Sequence, residues 1–193
     1  MPRTKEQNEA IRTEKKQLIM DAALELFAED GYVHTSIERI AQHAGVAKGL
    51  IYAYFKSKDD MLYQILVEGI DKMCEGLFPE HLTPELFVEN VDRMFDKIIT
   101  LKDFFKLYTA LSVQPGVTQK LGPLADANRA FHSMIELYKE YFGQDATKEL
   151  LLMSAVSKGY AILTLFGDRQ KTLSTDLLKE AVMDFVRLKF NVK

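Results

Sequence analysis

Apolar residues recur at spacings of three and four along almost the whole chain, and no run alternates apolar and polar residues at period two. An α-helix brings positions i, i+3, i+4 and i+7 onto one face, so the pattern predicts an all-α protein with no need of strands. A chain of 193 residues with 47% hydrophobic content can fill one large core, or a small core and a larger one. The first helix is expected from about Glu14 to Asp30, because Leu18, Ala22 and Leu26 lie beside Ile19, Ala23 and Phe27 as neighbouring i, i+4 rows, and Gly31 supplies a left-handed stop.

Thr35 and Glu38 have the spacing of a capping box, which opens a second helix ending at Gly45. A very short third helix follows, from about Lys48 to Phe55. Ser57 with Asp60 opens a fourth that runs to about Glu75, and the Gly76-Leu77-Phe78-Pro79 run breaks it. Further helices are expected near 83–100, 102–113, 121–142, 147–167 and 175–190, making about nine in all, punctuated by Pro84, Pro115-Gly116, Gly122-Pro123, Gly143 and Gly167.

Several function classes find no support. Cys74 is the single cysteine, so no intramolecular disulfide framework exists, which suits a reducing cytoplasm. His34, His43, His81 and His132 share no ligand spacing, and the chain has no Gly-rich phosphate loop, nucleophile elbow or carboxylate cluster. The reading is therefore not an enzyme, with no metal and no cofactor. The first fourteen residues are polar and charged, unlike a secretory signal, and no apolar run of about 20 residues exists to span a membrane.

The segment that narrows the field is TSIERIAQHAGVAKGLIYAYFKSK, residues 35–58. Two short helices are joined at Gly45-Val46. Ala41 is small where they cross, Gly45 allows positive φ, and Ile37, Ile40, Ala44, Val46 and Ile51 offer side chains to one small core. At about 100° per residue, an inward Ile51 puts Phe55 inward and Gly49 and Ala53 outward. A face that small admits close backbone approach and suits a DNA major groove, with Lys48 in reach of a base edge or phosphate. Tyr52, Tyr54, Lys56 and Lys58 are phenol and ammonium donors for phosphate oxygens, and Thr35 and Ser36 add the backbone N–H groups of a helix start. The charge balance is not that of a basic domain: residues 1–58 hold nine Lys and Arg against eight Asp and Glu, and 59–193 hold sixteen against twenty, within a net charge of −3. Arg12, Lys15 and Lys16 form one basic cluster, and Lys48, Lys56 and Lys58 another.

Residues 12–72 resemble the DNA-binding domain of the tetracycline-repressor (TetR) family of bacterial regulators. The matching features are AALELFAEDGY at 22–32, Thr35, IERIAQHAGVAKG at 37–49, IYAYF at 51–55 and Lys58. The resemblance covers about a third of the chain. It implies phosphate contacts at Thr35, Tyr52, Tyr54 and Lys58, and base contacts at Lys48, Gly49 and Leu50. Two positions depart from the family pattern: Ala47 stands where a capping Ser or Thr is common, and Leu50 where a Thr is common. Loss of a cap costs on the order of 1 kcal/mol. Leu50 cannot hydrogen-bond a base and is expected to meet a thymine methyl or to act through shape.

Residues 77–193 are expected to form the effector-binding and dimerisation domain that the resemblance implies. The helix from Glu149 to Phe166 carries only Glu149 and Lys158 as charges and is apolar nearly all round, so it must be covered on more than one side. A second copy of the chain is the expected cover, with Leu152, Val156 and Gly159 of this helix and Leu178, Ala181 and Phe185 of the last helix in a four-helix interface. Two recognition helices would then face a near-palindromic operator. For a small-molecule effector of unknown identity, Tyr108, Asn128, Arg129 and His132 are the candidate polar contacts among the aromatic middle helices. The expected function is a homodimeric, cytoplasmic repressor released from DNA by that effector; an architectural or adaptor protein of the same fold, without an effector, is the alternative.

Overall fold

The computed structural model describes residues 4–77, 80–114, 129–167 and 174–192. Among these residues the regular elements are all helical, and the chain divides into two compact units, Met1–Leu66 and Val67–Lys193.

In the first unit, α1 spans Lys5–Asp30. It opens well before the expected Glu14 because Thr4 caps it: the Thr4 hydroxyl accepts from the Gln7 N–H, and the Gln7 side chain accepts from the Thr4 N–H. The added stretch is polar and exposed, built from good helix formers with no apolar stripe for periodicity to detect. Ile19, Met20, Ala22, Ala23, Leu26 and Phe27 are the buried face. The other buried apolar side chains of this unit are Ile40 and Ala41 of α2 (Ile37–His43), which packs against α1, Ile51 of α3 (Lys48–Tyr54), which packs against α2, Phe55, and Met61, Leu62, Ile65 and Leu66 of α4 (Lys58–Cys74). Each large side chain so buried contributes roughly 1.5–3 kcal/mol of transfer free energy. At the start of α4 the Ser57 hydroxyl accepts from the Asp60 N–H, and the Asp60 carboxylate accepts from the Lys56 N–H.

One expected cap is corrected. Ser36, not Thr35, caps α2, with its hydroxyl accepting from the Arg39 N–H. Thr35 is 1% exposed, and its hydroxyl lies 2.9 Å from the Gly31 carbonyl oxygen and 3.2 Å from that of Leu26. The α1 C-terminus needs a donor for those carbonyls, and burial of the Thr35 hydroxyl there leaves the cap to its neighbour.

In the second unit, α5 spans Pro84–Thr100, α6 Lys102–Ser112, α7 Arg129–Phe142, α8 Ala146–Leu165 and α9 Thr175–Phe190, with a 3₁₀ turn at Gly143–Asp145. Residues 121–128 of the helix expected at 121–142 lie outside the described residues. Helix α5 buries Phe87, Val88, Val91, Phe95 and Ile98 at helical spacing and packs against α8 and α9. Phe87 lies 4.6 Å from Phe190, 5.4 Å from Phe142 and 5.9 Å from Tyr138, ring centre to ring centre. Lys179 of α9 reaches Asp92 and Asp96 of α5 at 2.8 and 2.9 Å. Close approach also fixes Gly69: a Cβ there would lie 2.1 Å from the Phe104 ring.

Candidate functional site

The turn between α2 and α3 is built by backbone hydrogen bonds. The Ala44 N–H donates to the Ile40 carbonyl at 2.9 Å and the Val46 N–H to the Ala41 carbonyl at 2.9 Å, with Gly45 between them at φ +64°. That left-handed conformation carries little penalty only without a Cβ. Ile51 is fully buried and Phe55 nearly so, while Gly49 and Ala53 are exposed and nothing lies within 4 Å of where a Gly49 Cβ would be. Helix α3 thus has an anchored side and a small, open side. Ala47 makes no side-chain cap bond, so the α3 N–H groups at this end lack a hydroxyl partner. Leu50 is half-buried at the edge of the open side.

The donors around α3 differ in how far they are already engaged. Tyr52 is 53% exposed. Tyr54 is half-buried beneath the Arg12 guanidinium, 5.8 Å from the ring centre, and Lys16 lies 6.0 Å from the Phe55 ring. Lys48 forms an exposed ion pair with Glu38 on α2. Their mutual hydrogen bond pushes the Glu38 carboxyl below its usual range and the Lys48 ammonium above its own. Arg39 pairs with Asp30 at 2.8 Å, and His43 with Glu25 at 2.8 Å.

Lys58 is engaged within the first unit. Its ammonium donates to the carbonyls of Tyr32, Thr35 and Val33 at 2.8, 3.0 and 3.4 Å and lies 4.4 Å from the centre of the Tyr32 ring. An ammonium has three N–H bonds, and here each has a carbonyl, so Lys58 fastens the 31–36 segment to the start of α4. The Tyr32 hydroxyl in turn donates to Asp59 at 2.5 Å. Burial, then that hydrogen bond and the Asp59 charge, drive its pKa well above the usual phenol value. Sequence reasoning located Lys58 by motif but missed its partners, and it missed Glu38 as the partner of Lys48.

Within the second unit, helices α5 to α8 and the end of α4 line a partly open cavity of about 160 Å³. Its wall is mostly apolar, with Met73, Met94, Phe95, Phe105, Met134 and Leu150, and its polar members include Asn90, Tyr108, Thr109, Tyr138, Ser154, Ser157 and Lys158. Of the expected effector contacts, Tyr108 lines it. His132 is exposed and does not; its position on α7 turns it to the surface. Asn128 and the Arg129 side chain lie outside the described residues. Burial pushes the Tyr108 phenol up, and burial followed by the Glu149 charge pushes Tyr138 up to about 12. The Thr109 hydroxyl is buried with no partner among the described residues. Lys158, Thr109 and Asn90 were missed because the cavity is shared by helices far apart in sequence.

Exposed apolar side chains also lie on α8 and just after it, at Leu151, Leu152, Ile162 and Phe166, and on α9, at Leu177, Phe185 and Leu188. A groove between them is lined by Leu152, Val156, Ala181 and Phe185, among others. Leu178 and Gly159 are half-buried. Among the described residues there is no group of three His, Cys, Asp or Glu able to hold a metal ion, and no helix long and apolar enough to cross a membrane.

Comparison with known proteins falls on the same N-terminal segment. Residues 19–65 match the model of the bacterial regulatory proteins of the tetR family. The chain is 44% identical over 63 residues to a fatty acid metabolism regulator protein of Bacillus subtilis, which is 33% of this chain and 32% of that protein. It is 25% identical over 185 residues to the helix-turn-helix transcriptional regulator YuxN of the same organism, 90% of this chain and 64% of that one. These matches therefore span about a third and just under two thirds of the relatives' own lengths. In fold, the chain resembles the transcriptional regulator FadR of Bacillus subtilis, solved with stearoyl-CoA, at a TM-score of 0.72 and 22% identity over 88% of this chain and 96% of that one. The family model, the relatives and the solved structures all liken this chain to the TetR family of bacterial transcriptional regulators.

Proposed function

We propose that this chain is a DNA-binding transcriptional repressor that acts as a homodimer and leaves its operator when a small molecule occupies the cavity of the second unit. The observation that carries the DNA-binding part is the two-sided α3. Ile51 and Phe55 hold it in the core, and Gly49 and Ala53 leave the opposite side open beside Lys48 and Tyr52. In this reading Lys48, Gly49 and Leu50 meet base edges. Tyr52, Tyr54, the α2 N-terminus at Ser36, and Arg12 meet phosphates, while buried Thr35 and Lys58 serve by holding the 31–36 segment in place.

The exposed apolar residues of α8 and α9 support a dimer, since a second copy bringing the same surface would bury Leu152, Val156, Gly159, Leu178, Ala181 and Phe185. The cavity supports effector control over a purely architectural role. FadR of Bacillus subtilis holds stearoyl-CoA, and by likeness an acyl compound is the first class of effector to try. An occupant that binds better to the arrangement unsuited to DNA lowers operator affinity by the ratio of its two affinities.

The test is selection of bound sequences from a random DNA library, followed by mobility shifts on the winner. A near-palindromic site bound by two copies, with affinity falling steeply in added salt, is the expected result. Failure to enrich any sequence would remove the reading.

A further inference from the structure

The cavity of the second unit sets two properties of its occupant, the size of its apolar body and its charge. A volume of about 160 Å³ is close to that of an engineered apolar cavity of about 150 Å³ that takes up benzene. A stearoyl chain has three times as many carbon atoms as benzene and needs about three times the room on the same measure. The wall bounds that room with Met94, Phe95, Phe105 and Met134. Methionines give way, yet the two buried phenylalanines, 2% and 5% exposed, hold the size.

Charge is set by one residue. Among the described residues Lys158 is the sole charged side chain lining the cavity, and no Asp or Glu does so. Its ammonium has no carboxylate partner among the described residues, whereas Lys48, Lys72, Lys139, Lys179 and Lys189 each have one. Lys158 is exposed, one helical turn from Ser154 on α8, and Ser154 lines the same cavity. The phenols of Tyr108 and Tyr138 stay neutral there and add dipoles without charge. An anionic head driven into the apolar wall would lose its hydration without recompense, so it must end at Lys158.

We infer that the effector is a compact amphipathic monocarboxylate, with an apolar body of about six to eight carbon atoms in the cavity and its carboxylate held by Lys158 and the Ser154 hydroxyl. The inference rests on the reading of this cavity as the effector site. It differs from the long acyl thioester that likeness alone suggests.

The test is calorimetric titration of the full chain, together with its melting temperature, using octanoate, benzoate, 1-octanol, octylamine and stearoyl-CoA. Octanoate or benzoate is expected to bind saturably and raise the melting temperature with concentration, at least tenfold more tightly than 1-octanol or octylamine. Lys158→Gln should weaken the carboxylate tenfold or more with 1-octanol unchanged, and Lys158→Glu should reverse the preference so that octylamine binds better than octanoate. Binding of stearoyl-CoA with no binding of either carboxylate, or unchanged octanoate affinity in Lys158→Gln, overturns the inference and leaves the effector reading standing. If none of the five compounds binds or alters operator affinity, the effector reading itself falls, and the inference with it.

Discussion

The surroundings of α3 and the wall of the cavity use polar groups in opposite ways. Near α3 the strong donors are already engaged: Lys48 by Glu38, Arg39 by Asp30, Thr35 by two carbonyls and Lys58 by three. Around the cavity, the Thr109 hydroxyl and the Lys158 ammonium are unengaged among the described residues. A surface meant to match a rigid partner gains from internal hydrogen bonds that hold its shape, at the expense of ion pairs that must be exchanged on contact. A cavity meant to be filled gains from donors left for the ligand, at the expense of stability while it is empty. The same contrast fits a first unit of nearly balanced charge to the DNA-binding role proposed for it.

The comparison can be broken most forcefully at the core of the first unit. Ile51→Ala removes a fully buried side chain and is expected to destabilise that unit by about 2–5 kcal/mol, visible as an early phase in urea unfolding and as lost operator binding. A substitution in the second unit should act separately. Gly69→Ala forces a Cβ into the Phe104 ring, with a loss of roughly 1–3 kcal/mol. Cys74 reports it: the thiol is 4% exposed, and burial pushes its pKa up to about 11. Alkylation should therefore be slow in the wild type and faster in this variant, and equal rates would show that the ring yields without strain.

Smaller effects separate shape from charge. Lys58→Met should lower stability by about 1 kcal/mol, allowing for partial solvent screening, and weaken operator binding while the slope of log affinity against log salt stays as in the wild type. A slope shallower by about one unit would instead make Lys58 a phosphate contact. The smallest change in stability belongs to Glu38→Gln, since the pair is exposed and exposed pairs contribute little. Removing the carboxylate frees Lys48 for DNA and takes a negative charge off the approach surface, so operator binding should tighten several-fold in a mobility shift. Weaker binding would mean that Glu38 holds Lys48 in its working position. The pair also has a pH sense. The Glu38 pKa lies below its unfolded value, so the pair's contribution is present above the unfolded pKa and disappears as pH falls through the folded one.

Much of the first unit was legible because its constraints are local. Gly45 as the turn, and Ile51 with Phe55 facing inward, follow from a few residues and the helical period. Where two local solutions were equally good, tertiary demand decided. Thr35 and Ser36 are adjacent hydroxyls, and only the carbonyls of Leu26 and Gly31 show which one is buried and which one caps. The start of α1 escaped because a polar helix has no stripe. In the second unit, helix boundaries followed from proline, glycine and apolar spacing, yet the cavity's polar members, Tyr108 apart, did not. Lys158 looked like a stray charge on an apolar helix, and His132 like a pocket residue, because membership of a cavity depends on how helices far apart in sequence meet.

The tripod beneath Lys58 has a chemical corollary. An amine whose N–H bonds are all committed to carbonyls, with its stem half-buried, offers a slow target to acylating reagents. Lys56, two residues earlier and exposed, does not share that protection. Acylation at Lys58 would delete three hydrogen bonds at once and add bulk at the α4 start. A brief acetylation followed by peptide mapping should therefore mark Lys56 well before Lys58, and the order should vanish in urea.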